Sequence, residues 1–194
     1  KIIDKMKTFK ILDSKFLVNM LEKTKNRLFQ TDYSLIDIEY ANNFIQNILE
    51  STIKDINGRP NSSDCLIHGD LVLSNILYNP TINQIKLIDP RGDMFGSEYY
   101  EVAKIMQSII YDYDFIDMEL YALSEEQCII YNDGKEPIKE LFLDKLNQRY
   151  SSIDIHIIKV ICASLFLSLI PLHSHNKNNQ LIYSSLFTQV VDDI

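Results

Sequence analysis

From Ile153 to Ile170 the chain is a long apolar run, interrupted by Asp154, His156 and Lys159. A bilayer-spanning helix would carry those three residues at considerable cost. The run therefore predicts a buried core helix over about Ser152 to Ile170, with Ser151 as its N-cap. Ile157, Ile158, Ile161, Leu165, Phe166 and Leu169 are its core stripe, and a helix this apolar has to be surrounded by other elements. The cover must come from the rest of 194 residues, 46% of them hydrophobic, which suffices for one domain or one large lobe with a small appendage.

Helical spacing recurs on both sides of the middle of the chain. Ile3, Met6, Phe9 and Lys10, then Leu12, Phe16, Leu17, Met20 and Leu21, follow at intervals of three and four, with a break expected at Asp13-Ser14. Tyr40, Phe44, Ile45, Ile48 and Leu49 predict a helix from near Asp37 to about Asp55, stopped by Asn57-Gly58-Arg59-Pro60, and Asn61 to Asp64 reads as loop. Val102, Ala103, Ile105, Met106, Ile109 and Ile110 predict a third helix after the loop Arg91 to Gly96. Leu120 to Leu123 and Gln127 to Tyr131 read as a small hairpin, followed by helices at about Pro137 to Arg149, Ser152 to Ile170 and Asn178 to Val191. The segments Cys65-Leu66-Ile67, Asn75 to Tyr78 and Ile85 to Ile88 have the length and turn punctuation of short strands.

Charge and cysteines narrow the function classes. A net charge of −8 with scattered acids and bases offers no basic stripe for a phosphate backbone, so nucleic acid is a poor partner. Three widely spaced cysteines give neither a CxxC pair nor a disulfide framework, which fits a reducing cytoplasm. No signal peptide opens the chain and no membrane span is expected; the first residue, Lys1, reads as the start of a fragment or a processed chain.

The chemistry is carried by Leu66-Ile67-His68-Gly69-Asp70-Leu71-Val72-Leu73-Ser74-Asn75-Ile76-Leu77, followed by Asp89 at the end of Lys86-Leu87-Ile88-Asp89. His-x-Asp-x-x-x-x-Asn with a later strand-end Asp suits phosphoryl transfer, where positioning and charge stabilisation do nearly all the work. Asp70 would orient the attacking hydroxyl, while Asn75 and Asp89 would hold Mg²⁺ against the phosphates. With 4 His in 194 residues, and Asp and Asn at their own frequencies, chance gives roughly 0.03 matches to the three fixed positions. The bland alternative is that these are turn residues capping backbone groups.

This segment resembles the signature of the aminoglycoside phosphotransferase, choline kinase and fructosamine kinase superfamily, which shares the eukaryotic protein kinase-like fold. The resemblance implies Asp70 as catalytic aspartate, His68 as the brace of its loop, and Asn75 and Asp89 as Mg²⁺ ligands. Ser74 and Arg91 join Asn75 and Asp89 as candidate contacts to bound ATP or GTP. Glu101, in Tyr99-Tyr100-Glu101-Val102-Ala103-Lys104, matches the Asp of the family's Asp-Leu-Ala motif but is one methylene longer. The specific motif covers residues 66–104, and beyond it the agreement is in helical character and order. Asp89-Pro90-Arg91-Gly92 and Ile170-Pro171-Leu172-His173 look similar to a subset found near bacterial surface-sugar biosynthesis genes.

The implied architecture is α+β and mainly helical: the C-terminal lobe of the kinase-like fold, helical over 1–60, with a catalytic and metal-binding core over 64–100 and a helical substrate-side region over 100–194. The expected activity is transfer of the γ-phosphoryl group of ATP (or GTP) to a sugar, amino sugar or amino alcohol hydroxyl. With 5 Gly in the chain and no Gly-rich loop upstream of Asp70, the family's N-terminal ATP lobe is expected to come from an upstream lobe or a fused domain. Two other readings are a non-catalytic kinase-like binding or regulatory module, and the C-terminal domain of a multidomain surface-sugar enzyme. Arg91 serves equally as a phosphate contact or as an ion-pair partner of Asp93, Glu98 or another acid. His173 and His175 lack a third ligand at metal-binding spacing.

Overall fold

A computed structural model describes residues 10–11, 15–30, 34–59, 64–92, 95–124 and 128–194. In chain order its elements are β1 (Lys10–Ile11), α1 (Phe16–Leu28) and a helix α2 over 38–57. This last is regular at Ile38–Asn43 and Glu50–Asn57 and widened by π-type turns over Phe44–Leu49. Then come β2 (Asp64–Leu66), a 3₁₀ turn at Leu73–Asn75, β3 (Ile76–Asn79), β4 (Gln84–Leu87) and β5 (Phe95–Gly96). The remainder is α3 (Glu98–Ile109), α4 (Tyr113–Asp117), β6 (Tyr121–Leu123), β7 (Cys128–Ile130), α5 (Glu136–Arg149), α6 (Ser152–Leu172) and α7 (Lys177–Asp192). The fold is thus mainly helical α+β, its strands confined to small antiparallel groups.

The apolar run becomes α6, the axis of the molecule. It packs most extensively on α7, then on α3 and α1. Ile158, Val160, Ile161, Ala163, Phe166 and Ile170 are wholly buried. Ile158, with Ile161 a turn later and Ile170 further on, packs into the same core as Phe44 and Leu49 of α2 and Tyr183 and Phe187 of α7. Aromatic edges lock the seams: Phe44 meets Phe187 at 5.3 Å between centroids, and Tyr111 meets Phe166 at 5.6 Å. By length and composition α6 passes as a membrane span, with mean hydropathy 2.1, yet 67% of its apolar window is buried within the protein.

The start of α6 is set by local chemistry. The Ser151 hydroxyl accepts from the Asp154 amide, while the Asp154 carboxylate accepts from the Ser151 amide, a reciprocal capping box. The same carboxylate accepts from Arg59 at 3.1 Å and from the Tyr99 hydroxyl at 2.8 Å. One acid therefore fastens the ends of three helices, α2, α3 and α6.

Three sheets are present among the described residues. Strands β1, β2 and β5 form one, with Lys10 opposite Cys65 and Cys65 opposite Gly96. The second is the hairpin β3–β4, and the third the hairpin β6–β7 expected around residues 120–131. Two expectations are corrected here. Lys10 is in a strand, not a helix, because pairing with Asp64–Cys65 satisfies an edge of β2 that a helix would leave open. Asp64 belongs to β2, and the end of the loop 91–96 is β5, for the same reason. The calls on Ile3, Met6, Phe9, Leu12, the Asp13-Ser14 break, Pro60 and residues 61–63 lie outside the described residues. Gly96 is required by proximity: a Cβ there would stand 2.6 Å from Ile67 Cδ1 and 2.8 Å from the Phe16 ring.

Candidate active site

The segment after β2 cannot continue as a strand, because Gly69 turns it at φ +79°. A Cβ on Gly69 would also lie 2.9 Å from the Arg91 carbonyl oxygen, so glycine serves both the turn and the close approach. Beyond it Asp70 is almost completely buried, Leu71 and Val72 anchor the loop in the interior, and a single 3₁₀ turn delivers Asn75 to the start of β3.

Backbone groups in this loop are held from beneath by helix side chains. The Glu101 carboxylate, 1% exposed on α3, accepts from the His68 amide at 3.1 Å and the Gly69 amide at 2.7 Å. The longer side chain at this position therefore still caps the loop. Burial pushes the Glu101 carboxyl above its ordinary value, opposed by the two amide bonds and by the charges of His68 and Lys104. Two turns further along α3, the Ser108 hydroxyl accepts from the Leu73 amide at 2.8 Å and donates to the Asp114 carboxylate. Asp114 in turn accepts from the Ser74 amide at 3.0 Å. The backbone of 68–74 is thus fixed by three buried side chains of α3 and α4.

From above, the hairpin closes the same loop. The Ile88 amide donates to the Asn75 carbonyl at 3.1 Å, extending the β3–β4 ladder by one bond. His68 Nε2 donates to the Ile88 carbonyl at 2.9 Å, which fixes the proton on that nitrogen, and Nδ1 is buried without a partner among the described residues. The Arg91 amide donates to the His68 carbonyl at 2.9 Å. Between these two tethers Asp89 takes a left-handed conformation, φ +55°, with its side chain exposed. A non-glycine residue in that region carries local strain of about 1 kcal/mol or more, tolerated best by Asp and Asn.

The functional side chains then fall as follows. Asp70 Oδ1 is 3.0 Å from Lys104 Nζ, and Oδ2 is 3.2 Å from Arg91 Nε. Asn75 donates its Nδ2 to the Asp70 carbonyl at 2.9 Å, which leaves Oδ1 as the acceptor branch of its amide. Asn75 and Asp89 flank the end of one hairpin, adjacent to Asp70 through the loop and the ladder. Ser74 contributes its backbone amide to the framework, and its side chain is exposed. Arg91 takes the ion-pair role, with Asp70 as the acid; Asp93 lies outside the described residues. His173 sits at the end of α6, edge-on to Tyr183 at 4.9 Å and 3.8 Å from Asp117, and burial lowers its pKa.

Among the described residues no group of three or more His, Cys, Asp or Glu converges as a cage for a metal ion. An amide oxygen and one exposed carboxylate match a different type of site, one in which Mg²⁺ keeps most of its waters and takes further oxygens from bound phosphates. Three participants have no role in the sequence reading: Lys104, Ser108 and Asp114. Lys104 had a signal, since it follows Glu101 by three residues on a helix and so shares the face under the loop. Ser108 and Asp114 had none, because what they do is set by packing alone.

Compared with protein-family models, with curated proteins and with solved structures, the chain matches none.

Proposed function

We propose that this chain is the substrate-side lobe of a small-molecule kinase with the protein kinase-like fold, moving the γ-phosphoryl group of ATP or GTP to a hydroxyl of a sugar, amino sugar or amino alcohol. The observation that carries the reading is the joint arrangement of Asp70, Asn75 and Asp89. A buried carboxylate and an amide share one rigid loop, and a second carboxylate, two residues past the end of β4, adjoins Ile88, which is tied to that loop through His68. Four separate backbone amides of this loop are bonded by buried side chains, a degree of fixation that suits chemistry dependent on positioning.

In this mechanism Asp70 accepts the hydrogen bond of the substrate hydroxyl and takes its proton as the oxygen bonds to phosphorus and the bond to the leaving diphosphate breaks. Lys104, buried beside it, holds the carboxylate in place. Asn75 Oδ1 and the Asp89 carboxylate would hold Mg²⁺, which when bound neutralises charge on the phosphate oxygens. The strain at Asp89 supports the reading, since a carboxylate kept in a left-handed turn is aimed by the backbone.

Calorimetric titration with ATP and with GTP, each with and without Mg²⁺, tests this. Mg²⁺-dependent binding that is lost in Asp89→Asn is expected, and that substitution keeps a residue tolerant of the left-handed turn. Asp70→Ala should bind nucleotide as the parent does and lose phosphoryl transfer by about 10²- to 10⁴-fold in an acceptor screen. Absence of nucleotide binding, or undiminished transfer by Asp70→Ala, would remove the kinase reading.

A further inference from the structure

Beside the catalytic loop, between α1 and the segment 91–92, lies a cleft of about 370 Å³. Phe16 and Tyr100 form its aromatic wall, meeting edge to face at 4.9 Å, and Gly69 and Gly92 leave part of its lining bare of side chains. Lys23 and Arg91 both line it. Arg27, one helical turn past Lys23, has its pKa lowered by burial first, with Tyr100 opposing and Arg91 adding to the shift. Two cationic side chains, Lys23 and Arg91, thus line a small volume of a protein whose net charge is −8.

The donors are of more than one kind. Burial, with Asp70 and Glu101 nearby, pushes the Tyr100 phenol up to about 12, so it stays protonated and able to donate. Arg91 engages Asp70 through Nε, and its guanidinium carries further N–H donors on the two terminal nitrogens. One side chain therefore lines the cleft and touches the carboxylate that would orient the reacting hydroxyl.

We infer that this cleft binds an oxyanion, a phosphate or carboxylate carried by the acceptor substrate, through Arg91, Lys23 and the Tyr100 hydroxyl. The inference rests on the kinase reading for the word acceptor and narrows its substrate class: a polyhydroxyl compound bearing an anionic group, instead of a cationic amino sugar. The local field of the cleft, not the net charge of the chain, decides which sign of ligand is drawn there. Arg91 would bridge the two halves of the substrate site, anion on one side and Asp70 on the other, which fixes the distance between the anchored group and the hydroxyl that reacts.

The test is an NMR titration of the full chain with inorganic phosphate and, separately, with glycerol as a neutral polyol. Phosphate should bind saturably and shift the amides of Gly69, Gly92 and Tyr100, while glycerol leaves them unmoved. Arg91→Gln and Lys23→Gln should each weaken phosphate binding by about tenfold, the loss of one charge-assisted hydrogen bond. Asp144→Asn, which changes the net charge at an exposed position of α5 outside the cleft lining, should leave it within about twofold. Saturating the protein first with Mg²⁺ and a non-hydrolysable ATP analogue identifies the source of the oxyanion. Undiminished phosphate binding in its presence supports an acceptor-borne group, whereas displacement would assign the cleft to the nucleotide and overturn the proposal. Equal affinity in all three variants would overturn it as well. A protein that binds phosphate in this pattern but no nucleotide would sink the kinase reading and leave the oxyanion site standing.

Discussion

Glu101 shows what a single methylene changes and what it leaves intact. Both its oxygens are occupied by backbone amides of the loop that bears Asp70, so an amide side chain in its place can satisfy only one of them. Glu101→Gln should lower stability by about 1–3 kcal/mol in denaturant titrations, with a loosened loop. The deficit also has a pH signature. A carboxyl whose pKa is raised in the folded state contributes stability that is fully present below its unfolded value, near 4.5, and is lost as pH rises through the folded value. Glutamine does not titrate, so the gap between the two proteins should be widest at the acid end and narrow above it. At this scale the sequence was legible where chemistry is contiguous. Asp70 and Asn75 share one loop, and Asp89 follows the hairpin after it. Ser108 and Asp114 were not, because their partners in the loop are distant in the chain and meet them only when α3 and α4 pack under it.

Among the elements, periodicity found what was long and missed what was short. The helices α3, α5, α6 and α7 and the β6–β7 hairpin stand where apolar spacing and capping residues put them, with α6 opening on Ser151 as its cap. Strands β1 and β5 are two residues each and owe their form wholly to β2 between them. Spacing within a segment carries no information about a partner across a sheet. The importance of α6 gives a direct test. Phe166 is inaccessible and contacts both Tyr111 and Tyr183, so Phe166→Ala should cost about 3–5 kcal/mol. A fall in Tm of roughly 6–20 °C would follow in a chain of this size. A shift of only a degree or two would mean that α6 is not the axis around which the helices pack.

Across the whole molecule, stability is distributed unevenly. The β3–β4 hairpin has Leu77, Tyr78, Ile82 and Ile85 all about half exposed or more, while most of α6 is sealed. Hydrogen exchange should therefore be slowest in α6, where amides open only with global unfolding, and much faster in β3–β4, which can open alone. Uniform protection across both would contradict this division. Asn75 and Asp89 stand at the junction of the two regimes, joined to the rigid loop on one side and to the hairpin on the other. Phosphate groups held there would tie the mobile part to the fixed part and slow the hairpin's exchange.

The apolar helix at the centre has a consequence for the order in which the protein is made. Tyr183 and Phe187, which cover one side of α6, belong to a helix that the ribosome produces only afterwards. For that interval the nascent chain displays a greasy rod of membrane-spanning length whose shield has yet to be synthesised. The few turn residues between α6 and α7, including His173 and Asn176, keep the interval brief, and Asn176 caps the following helix by accepting from the Asn179 amide.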